Sequence, residues 1–229
     1  MNEVEAVLSV YQVAAILTGD ARELGARVPD RSVALIFCDP PYLKQYLPLY
    51  DWLGEFAARV LTPDGFLLTY AGTYWQDEVM ARLRGHLSFF WNFYAVGRGP
   101  GPVMWRRRVV SKHKSILAYR LHDSQALPRC NVLSVWCGSG QDKRYHVWGQ
   151  DESTARYYLD CFSKPGDLVL DPFCGGGTTV AMARLLGRRA LAFEIDPDTA
   201  EIARARVAQV QPFLPGVAEE QLELEEVEA

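Results

Sequence analysis

A chain of 229 residues, 49% of them hydrophobic and 23% charged, is long enough to bury the core of one α/β domain. It has no apolar run of about 18 residues, so no membrane-spanning helix is expected, and its acidic opening, Met1-Asn2-Glu3-Val4-Glu5, is unlike a secretory leader. The net charge of −4 conceals a segregation of sign. Residues 97–144 hold ten Lys and Arg against two acids, while the rest of the chain holds fourteen against twenty-six. A basic block in an acidic protein is the footprint of a polyanion partner.

In chain order, Gln12–Thr18 is apolar and stops at Gly19-Asp20, a strand running into a turn. Ala21–Val28 has the length of a short helix, and Pro29-Asp30-Arg31 turns the chain into Val33–Cys38. That run is apolar without alternation, as in a strand covered on both faces within a parallel sheet. Asp51 is placed to cap a helix through Leu61, with Leu53, Phe56, Ala57 and Val60 on its inner face. Thr62-Pro63-Asp64-Gly65 ends it before a strand at Phe66–Tyr70. A helix at Thr73–His86 and an aromatic-rich strand at Ser88–Val96 follow.

Gly97–Pro102 is too rich in Gly and Pro to hold a regular element, and the basic block begins in it. Ser115–Leu121 reads as a strand and 122–146 as an irregular insertion. Ser153–Phe162 reads as a capped helix, with strands at Leu168–Asp171 and Leu191–Glu194. Asp198–Val210 is a helix expected to turn Ile202, Ala205 and Val207 inward. From Ala218 six of the last twelve residues are glutamate, a solubilising acidic tail within about 212–229. Cys38, Cys130, Cys137, Cys161 and Cys174 show no paired spacing and read as reduced thiols. With His122 and His146 they match no common zinc spacing, so no metal is expected.

Two motifs carry chemistry. The strand at Val33–Cys38 runs into Asp39-Pro40-Pro41-Tyr42, where two prolines end the ladder and leave a stiff turn at the strand's carboxyl end. Open α/β sheets bind ligands there. The Asp39 carboxylate and the Pro40 carbonyl are acceptors, and Tyr42 offers a flat face, a set suited to a planar group bearing an NH2. The second motif, Asp171-Pro172-Phe173-Cys174-Gly175-Gly176-Gly177-Thr178-Thr179, joins a strand to a helix. It is neither the dinucleotide fingerprint nor a P-loop. Glycines allow close approach of a ligand to the backbone, and the helix supplies free N–H groups. Glu194 ends the next strand, where an acid commonly holds ribose hydroxyls. A ligand with a ribose and a cationic end suits Asp171 and Glu194.

On Asp39-Pro40-Pro41-Tyr42 and Phe173-x-Gly175-x-Gly177, with Gly19-Asp20, Arg59-Val60-Leu61, Gly65, Gly187-Arg188 and Glu194-Ile195-Asp196 around them, the chain resembles the DNA amino-methyltransferases. These act on N6 of adenine or N4 of cytosine with S-adenosylmethionine, leaving S-adenosylhomocysteine. The resemblance runs over roughly residues 12–207. Its motif order, catalytic half first and basic segment between, resembles the permuted beta arrangement; RNA and protein methyltransferases that share the turn have the glycine motif first.

The resemblance implies a Rossmann-like class I methyltransferase fold: a seven-stranded, mostly parallel sheet with one antiparallel strand. It implies a single domain over 1–229, with a basic target-recognition insertion at about 97–146. Asp20 would reach the cofactor adenine and Glu194 the ribose. Asp171 and the 175–177 backbone would meet the methionine end, with Phe173 and Thr178 completing the cofactor site. Asp39 and Pro40 would accept the amine hydrogens of a flipped base, Pro41 would stiffen the turn, and Tyr42 would stack. Arg98, Arg106, Arg107, Arg108, Lys112, Lys114, Arg129, Lys143 and Arg144 would contact DNA. The resemblance also implies the cytoplasm of a prokaryote, or of a host carrying a phage or mobile element, in a restriction-modification setting. A homodimer would extend a short recognition site. Asp39, where cytosine enzymes more often carry Ser, favours adenine. The alternatives are an N4-cytosine enzyme and an inactive DNA-binding partner subunit. One departure from the family pattern is His146–Asp151, which lacks the usual Lys-Pro.

Overall fold

The computed structural model describes residues 14–97, 101–138 and 151–211. The expected contacts of Arg98, Lys143 and Arg144, the 146–150 departure and the acidic tail lie outside these residues.

The unbroken apolar run becomes β2 (Val33–Cys38), which pairs on one side with β3 (Leu61–Ala71) and on the other with β9 (Leu168–Asp171). Its side chains alternate between two cores. Leu35 and Phe37 enter one, and Val33, Ile36 and Cys38 enter the other. Both faces are therefore covered, which is why no polar residue interrupts the strand. Beyond β9 lie β10 (Arg189–Glu194) and β1 (Ala14–Thr18). Beyond β3 lie β7 (His113–Arg120), β4 (Ser88–Val96) and β8 (Val135–Cys137). β7 is antiparallel to both its neighbours, and the other pairings are parallel.

The sheet thus has eight strands rather than the expected seven. The extra one is β8, three residues of the supposedly irregular insertion, laid beside Tyr94–Val96. Too short to show a period, it forms because the outer edge of β4 offers it a ladder. A two-stranded hairpin, β5 (Val103–Met104) and β6 (Val109–Val110), stands apart from the sheet.

On one face pack α4 (Glu152–Phe162), α5 (Thr178–Leu185) and α6 (Pro197–Ala208); on the other, α2 (Leu47–Val60) and α3 (Gln76–Leu83). A one-turn helix, α1 (Ala21–Gly25), follows β1.

Two sequence expectations fail here. Asp51 does not cap its helix: α2 begins at Leu47, with Pro48 in the first turn where a missing N–H costs nothing. Asp51 lies inside the helix and pairs with Arg82 at 3.0 Å. In α6 the inner face is Ala200, Ala203, Arg206 and Val207, while Ile202 and Ala205 face solvent. The apolar pattern misled because Arg206 is buried in an ion pair, 2.6 Å from Glu152. The expected turn at 62–65 survives as a bulge, since Leu61 pairs with Val33 and the ladder resumes only at Phe66 and Leu35.

Candidate active site

Strands β2 and β9 are neighbours, pairing Leu35 with Val169 and Ile36 with Leu170. From β2 the chain proceeds to β3 on one side, and from β9 to β10 on the other. Their carboxyl ends therefore flank the sheet's topological switch point, where a crevice opens. Asp39 follows β2 and Asp171 ends β9, so topology brings together motifs 132 residues apart in sequence.

At Asp39, one carboxylate oxygen accepts a short hydrogen bond from the Tyr42 hydroxyl. The other lies 3.7 Å from Lys114 Nζ, which reaches across from β7. The same ammonium sits 5.9 Å from the Tyr42 ring centre and 5.6 Å from that of Tyr70. Burial pushes the Asp39 carboxyl up from its ordinary range, while Lys114 and the Tyr42 hydroxyl pull it back. Pro40 is buried beside it and Pro41 is exposed. Tyr42 packs over Gly72 so closely that a Cβ there would stand 2.8 Å from its own. Only glycine lets the chain leaving β3 pass under the tyrosine.

At the other end of the crevice, burial pushes the Asp171 carboxyl up to about 7, opposed by the Thr179 hydroxyl and the Phe173 N–H. The N–H of Phe173 donates to Asp171 at 3.0 Å. Glu194 spans the loop, accepting from Gly175 N–H at 2.8 Å and from Asp196 N–H at 3.0 Å. Gly177 caps α5 in the left-handed conformation, φ 78°, with Ala203 Cβ 3.1 Å from where its own Cβ would be. A side chain at this position is disfavoured twice over, by the backbone conformation and by the close approach of Ala203. Arg206 supports the loop from beneath, donating to the Gly176 carbonyl at 2.8 Å and the Thr178 hydroxyl at 3.0 Å. Phe173 meets the edge of Trp52, which stacks on Phe56. Asp20 lies nearby, since Gly19 N–H bonds the Glu194 carbonyl, but its carboxylate is held by Arg22 at 2.6 Å. That hydrogen bond holds the Asp20 carboxyl below its ordinary value.

The expected DNA contacts divide into three groups. Arg106, Arg107 and Arg108 are exposed at the tip of the β5–β6 hairpin, and Lys112 is exposed beyond its base. Lys114 instead points into the crevice. Arg129 ties its loop to the end of α4, donating to the carbonyls of Asp160 at 3.2 Å and Ser163 at 3.0 Å. Sequence reasoning missed Gly72, Trp52, Arg206 and the place of Lys114. For Arg206 a signal existed: it continues the Ala200–Ala203 spacing. All five cysteines are free, with Cys38 in the core. Among the described residues no helix is long and apolar enough to cross a membrane.

A doubly wound sheet with an acid-lined glycine turn and an Asp-Pro-Pro-Tyr turn at one switch point defines a Rossmann-like transferase for a nucleotide-bearing cofactor. Residues 33–205 match the N6/N4 methyltransferase family, described as DNA methylase, and the chain belongs to that family. Among curated proteins it is 26% identical to the type II methyltransferase M.HinfI of Haemophilus influenzae, over 86% of this chain and 69% of that one. It is 28% identical to the type II methyltransferase M.BamHI of Bacillus amyloliquefaciens, over 79% of this chain but only 54% of that longer protein. Among solved structures, TTHA0409, a candidate DNA modification methylase of Thermus thermophilus, aligns with a TM-score of 0.74 at 25% identity, covering 88% of this chain and 97% of that one. TTHA0409 has also been solved with S-adenosyl-L-methionine. The family expected from the motifs is thus borne out.

Proposed function

We propose that this chain methylates the exocyclic N6 amine of an adenine flipped out of DNA, using S-adenosylmethionine. The observation that carries the reading is the meeting of Asp39 and Asp171 at one switch point, which sets amine acceptors beside an acid-lined cofactor turn. Asp39 in place of Ser favours adenine over cytosine. The intact Asp39–Tyr42 and Gly175–Gly177 elements argue for an active enzyme rather than an inactive DNA-binding subunit.

The residues present fit the cofactor. Asp171 and Glu194 are acids suited to a ligand with a cationic end and ribose hydroxyls, and the Gly175–Gly177 backbone leaves room for it. When bound, S-adenosylmethionine supplies an electrophilic methyl group on a sulfonium. Glu194 would hold the ribose, Asp171 the methionine end, and Phe173 with Trp52 an apolar wall. Asp20 would have to exchange its Arg22 partner to reach the adenine.

An aromatic amine is a weak nucleophile because its lone pair is delocalised into the ring. Asp39 and the Pro40 carbonyl, each accepting one amine hydrogen, draw the nitrogen toward a tetrahedral form and aim the lone pair. The lone pair so aimed would take the methyl group that the bound sulfonium supplies, with the thioether as leaving group, and Asp39 would accept the proton that the nitrogen sheds. Tyr42 stacks on the base. Lys114 helps keep a half-buried acid ionised and accepting, so we assign it to the pocket rather than to a phosphate. Most of the work is positioning and directed hydrogen bonding. The hairpin arginines and Lys112 hold phosphates, offsetting a flipping cost of a few kcal/mol. The test is tritium transfer from labelled cofactor to DNA, followed by digestion and nucleoside chromatography. Label in N6-methyladenosine supports the reading, label in N4-methylcytosine overturns the base, and no label overturns the activity.

A further inference from the structure

The hairpin holds a feature that phosphate binding leaves unexplained. Its four-residue tip is Trp105-Arg106-Arg107-Arg108, and Trp105 is 82% exposed. Val103, Val109 and Val110 are also open to solvent. A tryptophan this exposed among arginines has no packing role in the chain, and an apolar surface rimmed by charge marks a contact site. The tip is nonetheless built. Arg107 N–H closes onto the Met104 carbonyl at 2.8 Å, and Ser111 N–H onto Pro102 at 3.0 Å. Arg108 takes up a left-handed conformation, φ 55°, to complete the turn.

The hairpin is also tied to the catalytic pocket. The Ser111 hydroxyl lies 3.3 Å from that of Thr73, and the Arg107 guanidinium lies 4.6 Å over the Tyr74 ring. Thr73 and Tyr74 directly follow Gly72, on which Tyr42 rests. Three consecutive residues therefore bridge the base-stacking tyrosine and the hairpin. Ser111 lies in the link just before β7, three residues ahead of Lys114, which reaches Asp39. The hairpin that carries Trp105 is thus anchored, through Ser111 and Arg107, on the segment that follows Gly72 under the base-stacking tyrosine.

We propose that Trp105 is a wedge for duplex DNA, entering the base stack beside the target and occupying the space the flipped base leaves. The chemistry matches. A flat apolar side chain substitutes for lost stacking, and the adjoining arginines fasten the tip to phosphates on either side. This rests on the methyltransferase reading and adds to it a residue for opening the duplex.

A wedge matters only where there is a stack to open. The full-length protein and its Trp105→Ala and Trp105→Phe variants are compared in single-turnover tritium transfer to a random-sequence duplex library and to the same strands unpaired. Trp105→Ala should lower the duplex rate by about tenfold or more, since unstacking costs a few kcal/mol, and leave the single-strand rate nearly unchanged. Trp105→Phe should retain most of the duplex rate. An unaltered duplex rate in Trp105→Ala, or an equal fall on both substrates, overturns the wedge. If the parent labels duplex alone, tryptophan emission decides. Stacking of Trp105 should quench emission on duplex binding in the parent and less in Trp105→Phe, and equal quenching overturns the proposal. A parent that labels neither substrate refutes the methyltransferase reading itself, a result distinct from failure of the wedge.

Discussion

Lys114→Met tests the catalytic pocket most directly, because it removes a charge while keeping length and apolar stem. Lys114 Nζ lies 3.7 Å from Asp39, with 33% and 21% of the two side chains exposed. Among the described residues, the other ionisable groups that act on or with Asp39 are Tyr42 in the turn, Cys38 on β2, Tyr50 on α2, Tyr70 on β3 and Asp171 on β9. None of these supplies a positive charge. Removing one partner of a charge-assisted pair costs about 1.5–3 kcal/mol, and partial exposure puts this pair at or below the lower end. About 1.4 kcal/mol corresponds to one pKa unit.

The sign is fixed by the role of Asp39. It accepts only when ionised, so turnover falls as pH drops through its pKa. Loss of the neighbouring cation raises that pKa and moves the acid limb of the rate profile upward, by about one unit. Single-turnover methyl transfer followed down the acid side of the rate profile reads the shift. Lys114→Arg should bring the limb back, and cofactor affinity should be unmoved in both variants. An acid limb identical in Lys114→Met and the parent would refute the pairing of Lys114 with a catalytic Asp39.

Three further outcomes are expected. Glu194→Ala removes the acid that spans Gly175 and Asp196, and calorimetry should show S-adenosylmethionine binding weakened about tenfold or more, for the loss of a charged hydrogen bond worth about 1.5–3 kcal/mol. Burial sets the Asp171 carboxyl at about 7, and a cationic ligand favours its ionised form, so cofactor affinity should decline as pH falls below about 7. Titrations in buffers of different ionisation enthalpy should show proton release on binding near that pH, and a pH-independent affinity would separate Asp171 from the cofactor. With Lys114 withdrawn to the pocket, Arg106, Arg107, Arg108 and Lys112 would give DNA affinity a log–log salt slope of about −3.6, and replacing the three arginines by Ala would flatten it by up to about 2.7.

Much of this protein is legible along the chain. A six-residue apolar run without alternation, bounded by turn residues, reads as a strand covered on both sides, and two prolines after Asp39 end it. That places a carboxylate at a strand's carboxyl end from local sequence alone. Gly175–Gly177 after an apolar strand likewise marks a backbone turn, because the left-handed φ at Gly177 is one that L side chains rarely adopt. These features are local, so short-range sterics and hydrophobic periodicity determine them. What lies beyond is decided by contacts between distant segments. The pairing of β2 with β9, which brings Asp39 to Asp171, is a matter of strand order. Lys114 lies in a basic block and reads there as one more phosphate contact; only the antiparallel path of β7 beside β3 turns it onto Asp39. Arg206 reads as surface until Glu152, 54 residues earlier, meets it beneath the glycine loop. β8 has too few residues to show a period and exists because an edge of β4 awaits it. Side-chain periodicity reports which way a residue faces within its own element, while the partner it meets there depends on how the elements are stacked.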